Sequence, residues 1–227
     1  MAGVRRSRIF VTQPIAARAI ERLRAVAEVD VNSDGSAILP KQKLCAAVRD
    51  HDILFALLHD IVDREVLAAN PNLAAVASMS ANADRIDVAE ATARKIPVTV
   101  IPAITVTEAT ADLHFGLMLA VARRIVEADR AVRAGIFPGA QSNHFAGTWV
   151  YGKVLGLVGG RGQIGRAVAR RAQGFGMRIL YSGPRPLPEP EEKKLGMTFV
   201  PLDQLLSESD FVSLHPALRP ETRHLIG

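Results

Sequence analysis

Gly160, Gly162 and Gly165 stand in a GxGxxG pattern, Gly160-Arg161-Gly162-Gln163-Ile164-Gly165, behind the apolar run from Val154 to Val158 and ahead of the helix-forming Arg166-Ala167-Val168-Ala169-Arg170-Arg171. Glycines at that spacing suit the binding of a dinucleotide: Gly160 permits a tight turn, Gly162 lets a diphosphate approach the backbone, and Gly165 lets helix and strand pack closely. The amides of Gln163 and Ile164, at the positive end of the helix dipole, would then hold phosphate oxygens. Gly159 adds a residue between strand and pattern, so either the turn is wider than usual or its first glycine is Gly159.

The end of the following strand normally carries an acid that accepts the adenosine ribose hydroxyls. Here it reads Tyr181-Ser182-Gly183-Pro184-Arg185, with no carboxylate. Gly183 takes the place of the acid. Arg185 can offer its guanidinium, and Ser182 its hydroxyl, to a 2′-phosphate. NADP is therefore expected ahead of NAD, with use of both left open. The competing reading makes Arg185 an exposed residue of a proline-rich loop.

The elements that must position these residues follow from hydrophobic periodicity. Strand-like runs at 8–11, 28–31, 52–57, 73–77 and 97–100 alternate with helical patterns at 15–27, 41–49, 63–69 and 87–95, with Asp63 and Asp87 placed as N-caps. This βαβα order predicts an α/β fold, a mostly parallel sheet with helices on both faces. A long helix is expected over 108–134, opened by a Thr105/Glu108 capping box and buried between domains or subunits. A loop over 135–152 follows, and the domain boundary is placed near residue 105. After it come strands at 153–158, 177–181 and 211–214, helices at 163–174 and 202–208, and a loop with four prolines over 184–190.

The 227 residues include 28 Lys and Arg against 23 Asp and Glu, a net +5 spread without a dense run, which speaks against nucleic acid as a partner. Cys45 is the only cysteine, so no internal disulfide or multi-cysteine metal site can form, and it reads as a small buried helix residue. Arg5 and Arg6 precede only Ile9, Phe10 and Val11 before the chain turns polar, too short for an export signal. No apolar stretch looks long enough for a membrane, so a cytoplasmic location without membrane attachment is expected. His51, His59, His114, His144 and His224 show no pattern for metal or proton transfer, and Trp149 reads as packing near the domain junction.

Three further segments accompany the fingerprint: Met79-Ser80-Ala81-Asn82-Ala83-Asp84-Arg85-Ile86-Asp87, Thr107-Glu108-Ala109-Thr110-Ala111-Asp112-Leu113 and Pro220-Glu221-Thr222-Arg223-His224-Leu225-Ile226. In this order the chain resembles the D-isomer-specific 2-hydroxyacid dehydrogenases, in particular the glyoxylate and hydroxypyruvate reductase branch. The resemblance is strong from about residue 50 onward and rests on βα order alone before that. It implies a flavodoxin-like substrate domain over residues 1–105, then a doubly wound Rossmann NAD(P)-binding domain over 106–227, incomplete as it stands.

The resemblance also implies roles. The amides of Ser80, Ala81 and Asn82 would hold the carboxylate of a small 2-keto or 2-hydroxy acid. The family usually has glycine at Asn82, and asparagine tolerates a left-handed backbone. Asp84 would support that turn. Thr107 would lie near the nicotinamide end of the cofactor. His215 would line the pocket, although the family more often has Cys and Pro after this His where Pro216 and Ala217 stand here. In the family a hydride passes to C2 of the keto acid, an Arg orients the substrate and a Glu-supported His moves the proton. The resemblance places all three beyond Gly227, so no catalytic residue is expected in this chain and the chain alone is expected to be inactive, either a shortened form of an active enzyme or a genuine short product. A homodimer is expected through the long helix. Two alternatives remain: a non-enzymatic dinucleotide-binding protein of corepressor or pseudoenzyme type, and a Rossmann protein of other chemistry such as a methyltransferase.

Overall fold

The computed structural model describes residues 5–139 and 143–226, so positions 140–142 of the expected loop, and Gly227, lie outside the described residues. The chain divides into two compact units, Met1–Ala103 and Ile104–Gly227.

The first unit runs β1 (Arg8–Val11), α1 (Ala17–Val26), β2 (Glu28–Val31), α2 (Lys41–Arg49), β3 (Ile53–Ala56), α3 (Arg64–Ala68), β4 (Ala75–Ser78), α4 (Val88–Ala93) and β5 (Val98–Thr99). All strand pairs are parallel, in the order β2-β1-β3-β4-β5, the flavodoxin-like arrangement. Alternate residues of β3 serve opposite faces. Leu54 and Ala56 pack with Leu44, Val48, Val66 and Leu67 of α2 and α3, whereas Ile53 and Phe55 join Ile20 and Leu23 of α1. Both expected caps are present: the Asp63 carboxylate accepts from the Glu65 and Val66 amides at 3.1 and 3.2 Å, and that of Asp87 accepts from Glu90 at 2.9 Å. Cys45 is buried, as expected, and burial pushes its thiol pKa up.

The second unit contains α5 (Ala103–Ala122), α6 (Ile125–Arg133), β6 (Val154–Val158), α7 (Gln163–Gly174), β7 (Arg178–Ser182), α8 (Glu189–Leu195), β8 (Met197–Phe199), α9 (Leu202–Glu208) and β9 (Phe211–Leu214). Its parallel sheet has the order β8-β7-β6-β9, which is the 3-2-1-4 start of a doubly wound nucleotide fold. Leu155, Leu157, Ile179 and Tyr181 face α5 and α7, while Val158 and Leu180 face Leu205 of α9. A Cβ on Gly156 would lie 2.5 Å from Leu205 Cδ2, so α9 seats directly on β6.

Several sequence expectations need correction. The chain turns helical at Ala103, so Thr105 lies inside α5 and forms no capping box; Glu108 instead pairs with Arg170 and Arg171 at 2.6 and 2.9 Å. The long helix breaks after Ala122, where the Thr148 amide takes the Ala122 carbonyl at 2.7 Å and Arg124 adopts φ 53°. Pro190 belongs to the first turn of α8, where its missing N–H costs nothing, so the proline loop ends at Pro188. Trp149 is 71% exposed, and its neighbour Val150 takes the core position instead.

Helix α5 buries one face only, through Thr107, Ala111, Phe115, Met118 and Ala122; Leu113, Leu117 and Val121 are exposed. By length and composition α5 could cross a membrane, contrary to the expectation that no segment could. Its acidic residues are nonetheless engaged, Glu108 as above and Asp112 with Arg171 of α7 at 2.5 Å.

Candidate functional site

The turn after β6 is shaped by contacts that leave no room for side chains. Gly159 has φ +80°, and a Cβ there would come within 2.7 Å of the Pro216 nitrogen in the loop after β9. A Cβ on Gly160 would lie 2.6 Å from Tyr181 Cβ on β7, and one on Gly165 would lie 2.6 Å from both Cα and O of Gly160. The extra glycine therefore takes the left-handed residue of the turn, while Gly160 and Gly165 lock strand to helix. Gly162 donates to the Gly159 carbonyl at 3.0 Å and is the N-cap of α7. Gln163 and Ile164 follow as the first residues of α7, whose amides have no acceptor within the helix.

Where the ends of β6, β7 and β9 meet, the strand order reverses, the position at which doubly wound folds bind ligands. A cleft of about 700 Å³ lies there, lined by Arg161 and Gly162 from the first loop, Gly183 and Arg185 from the second, and His215 and Arg219 from the third. Ser182 is buried beneath, its carbonyl accepting from the Gly159 amide at 2.8 Å. The loop that carries Gly183 and Arg185 is pinned from below: the Tyr181 hydroxyl donates to Glu192 at 2.5 Å and accepts the Leu187 amide at 2.6 Å. Burial, with the Glu192 carboxylate adding to it, pushes the Tyr181 phenol up to about 12.

Thr107 is buried and its hydroxyl donates to Gln163 Oε1 at 3.2 Å, which ties α5 to the start of α7. His215 is not isolated. Its Nε2 lies 2.9 Å from Ser213 Oγ, which lies 2.9 Å from Nδ1 of His114. Sequence reading left His114 without a partner; the signal available was the i, i+2 spacing of Ser213 and His215 across a strand end. Burial, then the nearby His215, pushes the His114 imidazole down to about 4, and burial lowers His215 as well. Among the described residues neither ring is paired with a carboxylate, and burial favours the neutral form of both.

In the first unit, Ser80, Ala81 and Asn82 follow β4. The Ser80 amide donates to Ser78 Oγ at 3.2 Å, the Asn82 amide to Ser80 Oγ at 3.4 Å, and the Asn82 side-chain amide to Asp84 at 2.7 Å. Asp84 thus supports the turn as expected. Asn82 does not adopt the left-handed conformation considered for it; its contribution is made through its side chain. Sequence reading missed the residues beneath this loop. Asp60 is 3% exposed and its Oδ2 accepts from the Leu57 amide at 2.7 Å and from the buried Thr12 hydroxyl. Asp60 and Ser80 share the lining of a cavity of about 20 Å³, and Asp60 Oδ1 has no partner among the described residues.

Comparison with known proteins bears on this geometry. Residues 115–227 match the family model described as D-isomer specific 2-hydroxyacid dehydrogenase, NAD binding domain. The chain is 48% identical over 221 residues to a glyoxylate reductase of Korarchaeum cryptofilum, covering 97% of this chain and 65% of that protein. It is 45% identical over 226 residues to a glyoxylate reductase of Thermococcus kodakarensis, covering 98% of this chain and 67% of the relative. Among solved structures, the TT0316 protein from Thermus thermophilus superposes with a TM-score of 0.83 at 40% identity, covering 96% of this chain and 67% of that one. The chain thus spans about two thirds of the length of these relatives. With its flavodoxin-like unit, its GxGxxG cleft and these likenesses, the chain belongs to the D-isomer specific 2-hydroxyacid dehydrogenase family.

Proposed function

We propose that the protein is an NAD(P)-dependent reductase of small 2-keto acids, of the glyoxylate or hydroxypyruvate reductase type. The observation that carries this reading is the cleft at the ends of β6, β7 and β9, which opens beside the turn where Gly159, Gly160 and Gly165 leave no room for a Cβ. Its volume falls within the range of ligand sites, and its residues fit a dinucleotide. The amides of Gln163 and Ile164 would hold the diphosphate at the start of α7. Ser182, Gly183 and Arg185 would flank the adenosine ribose, and His215 would line the same pocket. The absence of an acid at the end of β7 favours NADP over NAD. When bound, the nicotinamide supplies the hydride.

Ser80, Ala81 and Asn82 are proposed to hold the substrate carboxylate, with Thr107 near the nicotinamide end. On this reading residues 1–105 form part of the substrate domain and 106–227 part of the cofactor domain. The residues that orient the keto group and move the proton are proposed to lie in the part of the relatives that this chain does not match. The names of those relatives favour a reductase over a corepressor-like protein. We further propose a cytoplasmic homodimer that buries the exposed apolar face of α5 and α6, including Leu117, Val121 and Val126.

The test is oxidation of NADPH by the full encoded protein in the presence of glyoxylate, hydroxypyruvate and other 2-keto acids. Turnover with at least one is expected; none with any overturns the reading. A monomeric mass in solution overturns the dimer.

A further inference from the structure

Three arginines from three loops line the one cleft: Arg161 after β6, Arg185 after β7 and Arg219 after β9. A single carboxylate, Glu221, shares that lining. Several other arginines of this unit are neutralised, Arg166 by Glu191 at 2.8 Å, Arg170 by Glu108 at 2.6 Å and Arg178 by Glu208 at 2.9 Å. Arg161, Arg185 and Arg219 make no ion pair among the described residues, and the Nε of Arg161 is buried without an acceptor.

Three guanidinium groups around one cleft, with a single carboxylate among them, favour an anion as the group that enters it. A diphosphate is served by the amides at the start of α7 and needs no such cluster. Arg185 sits at the end of β7, on the ribose side. A phosphate monoester offers three strong acceptor oxygens and close to two charges, which suits forked donors converging from several directions.

We propose that Arg161 and Arg219 join Arg185 in a three-arginine seat for the 2′-phosphate of the adenosine half, and that these two residues set the preference for the phosphorylated cofactor. The proposal rests on the dinucleotide reading above and assigns specificity to two loops besides the one after β7. Glu221 keeps the seat from being purely cationic, which leaves the three guanidinium groups in excess by two charges.

Binding alone tests this, without turnover. The full chain is titrated by calorimetry with adenosine 2′,5′-bisphosphate and with adenosine 5′-monophosphate. The bisphosphate is expected to bind at least ~10-fold more tightly, with the difference shrinking as salt rises. Arg219→Thr and Arg161→Leu should each reduce that ratio by about tenfold while leaving the monophosphate affinity within about twofold. Arg219→Lys should keep part of it. Arg219 is exposed, so its variants report on binding without threatening the fold. Equal affinity for the two probes, or a ratio unchanged in both variants, overturns the seat and leaves the dinucleotide reading standing. Failure to bind either probe, NADH or NADPH overturns both.

Discussion

The two loops proposed to meet anions are built on different principles. The turn at Gly159 to Gly165 is fixed by backbone jammed against backbone and against Tyr181, so its shape is set before any side chain forms a bond. The turn at Ser80 to Asp84 is held by side-chain hydrogen bonds of 2.7 to 3.4 Å on an exposed loop. The first can change only if strand and helix separate. The second can exchange its own bonds for those of a ligand, which suits a site that must admit and release a small acid.

The largest expected effect comes from breaking the jammed turn. Gly165→Ala places a methyl group against the Gly160 backbone, which cannot move aside, and should lower stability by about 3 kcal/mol in urea denaturation and abolish dinucleotide binding. Gly183→Ala, where a Cβ meets nothing within 4 Å, is the control for stability and should change the urea midpoint little. If both variants behave alike, the backbone does not set the turn.

Asp60 is the nearest thing to a rigid post beneath the second loop. Asp60→Ala leaves the buried Thr12 hydroxyl without its acceptor and takes from the Leu57 amide the shorter of its two bonds, the other being to Thr12 Oγ at 3.2 Å, and should cost about 2 kcal/mol. A loss below about 0.5 kcal/mol would mean that these groups find other partners.

The histidine pair makes the cofactor unit sensitive to acid. Both rings have folded pKa values below the ordinary 6.5, His114 at about 4. The unfolded chain therefore binds more protons than the folded one between these values, and stability falls as the pH drops from about 6.5 toward 4. Protonation of both rings would also leave Ser213 facing two donors. Urea midpoints measured across that window should fall, and His114→Phe should flatten the slope; an equal slope in the variant would exclude His114 as its source.

The smallest effect on stability is expected at the second loop. Asn82→Ala removes exposed bonds and should cost under about 1 kcal/mol, yet raise KM for the keto acid severalfold with KM for the cofactor unchanged. Equal shifts in both constants would separate Asn82 from substrate binding.

Much of this was legible from local pattern. Period-two alternation gave the strands, and the fingerprint gave the turn, because both depend on residues adjacent in sequence. Helix α8 was missed because Pro190 reads as a breaker, although Glu189, Glu191 and Glu192 ahead of Lys193 and Lys194, with Gly196 at φ +61°, mark a helix with its charges matched to its dipole. The break after Ala122 depends on Thr148, and the His114–Ser213 contact joins residues 99 apart. The Thr12–Asp60 contact spans 48. No local periodicity reports such pairs, and for that reason the polar groups beneath both sites became visible only in three dimensions.

Tyr181 closes this point in another way. Its hydroxyl grips the Leu187 amide, and Pro184, Pro186 and Pro188 fix φ along the same loop, so the segment bearing Arg185 has already surrendered most of its conformational freedom in the free protein. A ligand arriving there meets a template that does not have to be ordered first. Discrimination between cofactors should then appear in how fast the wrong one leaves, with no slow closing step in the binding kinetics.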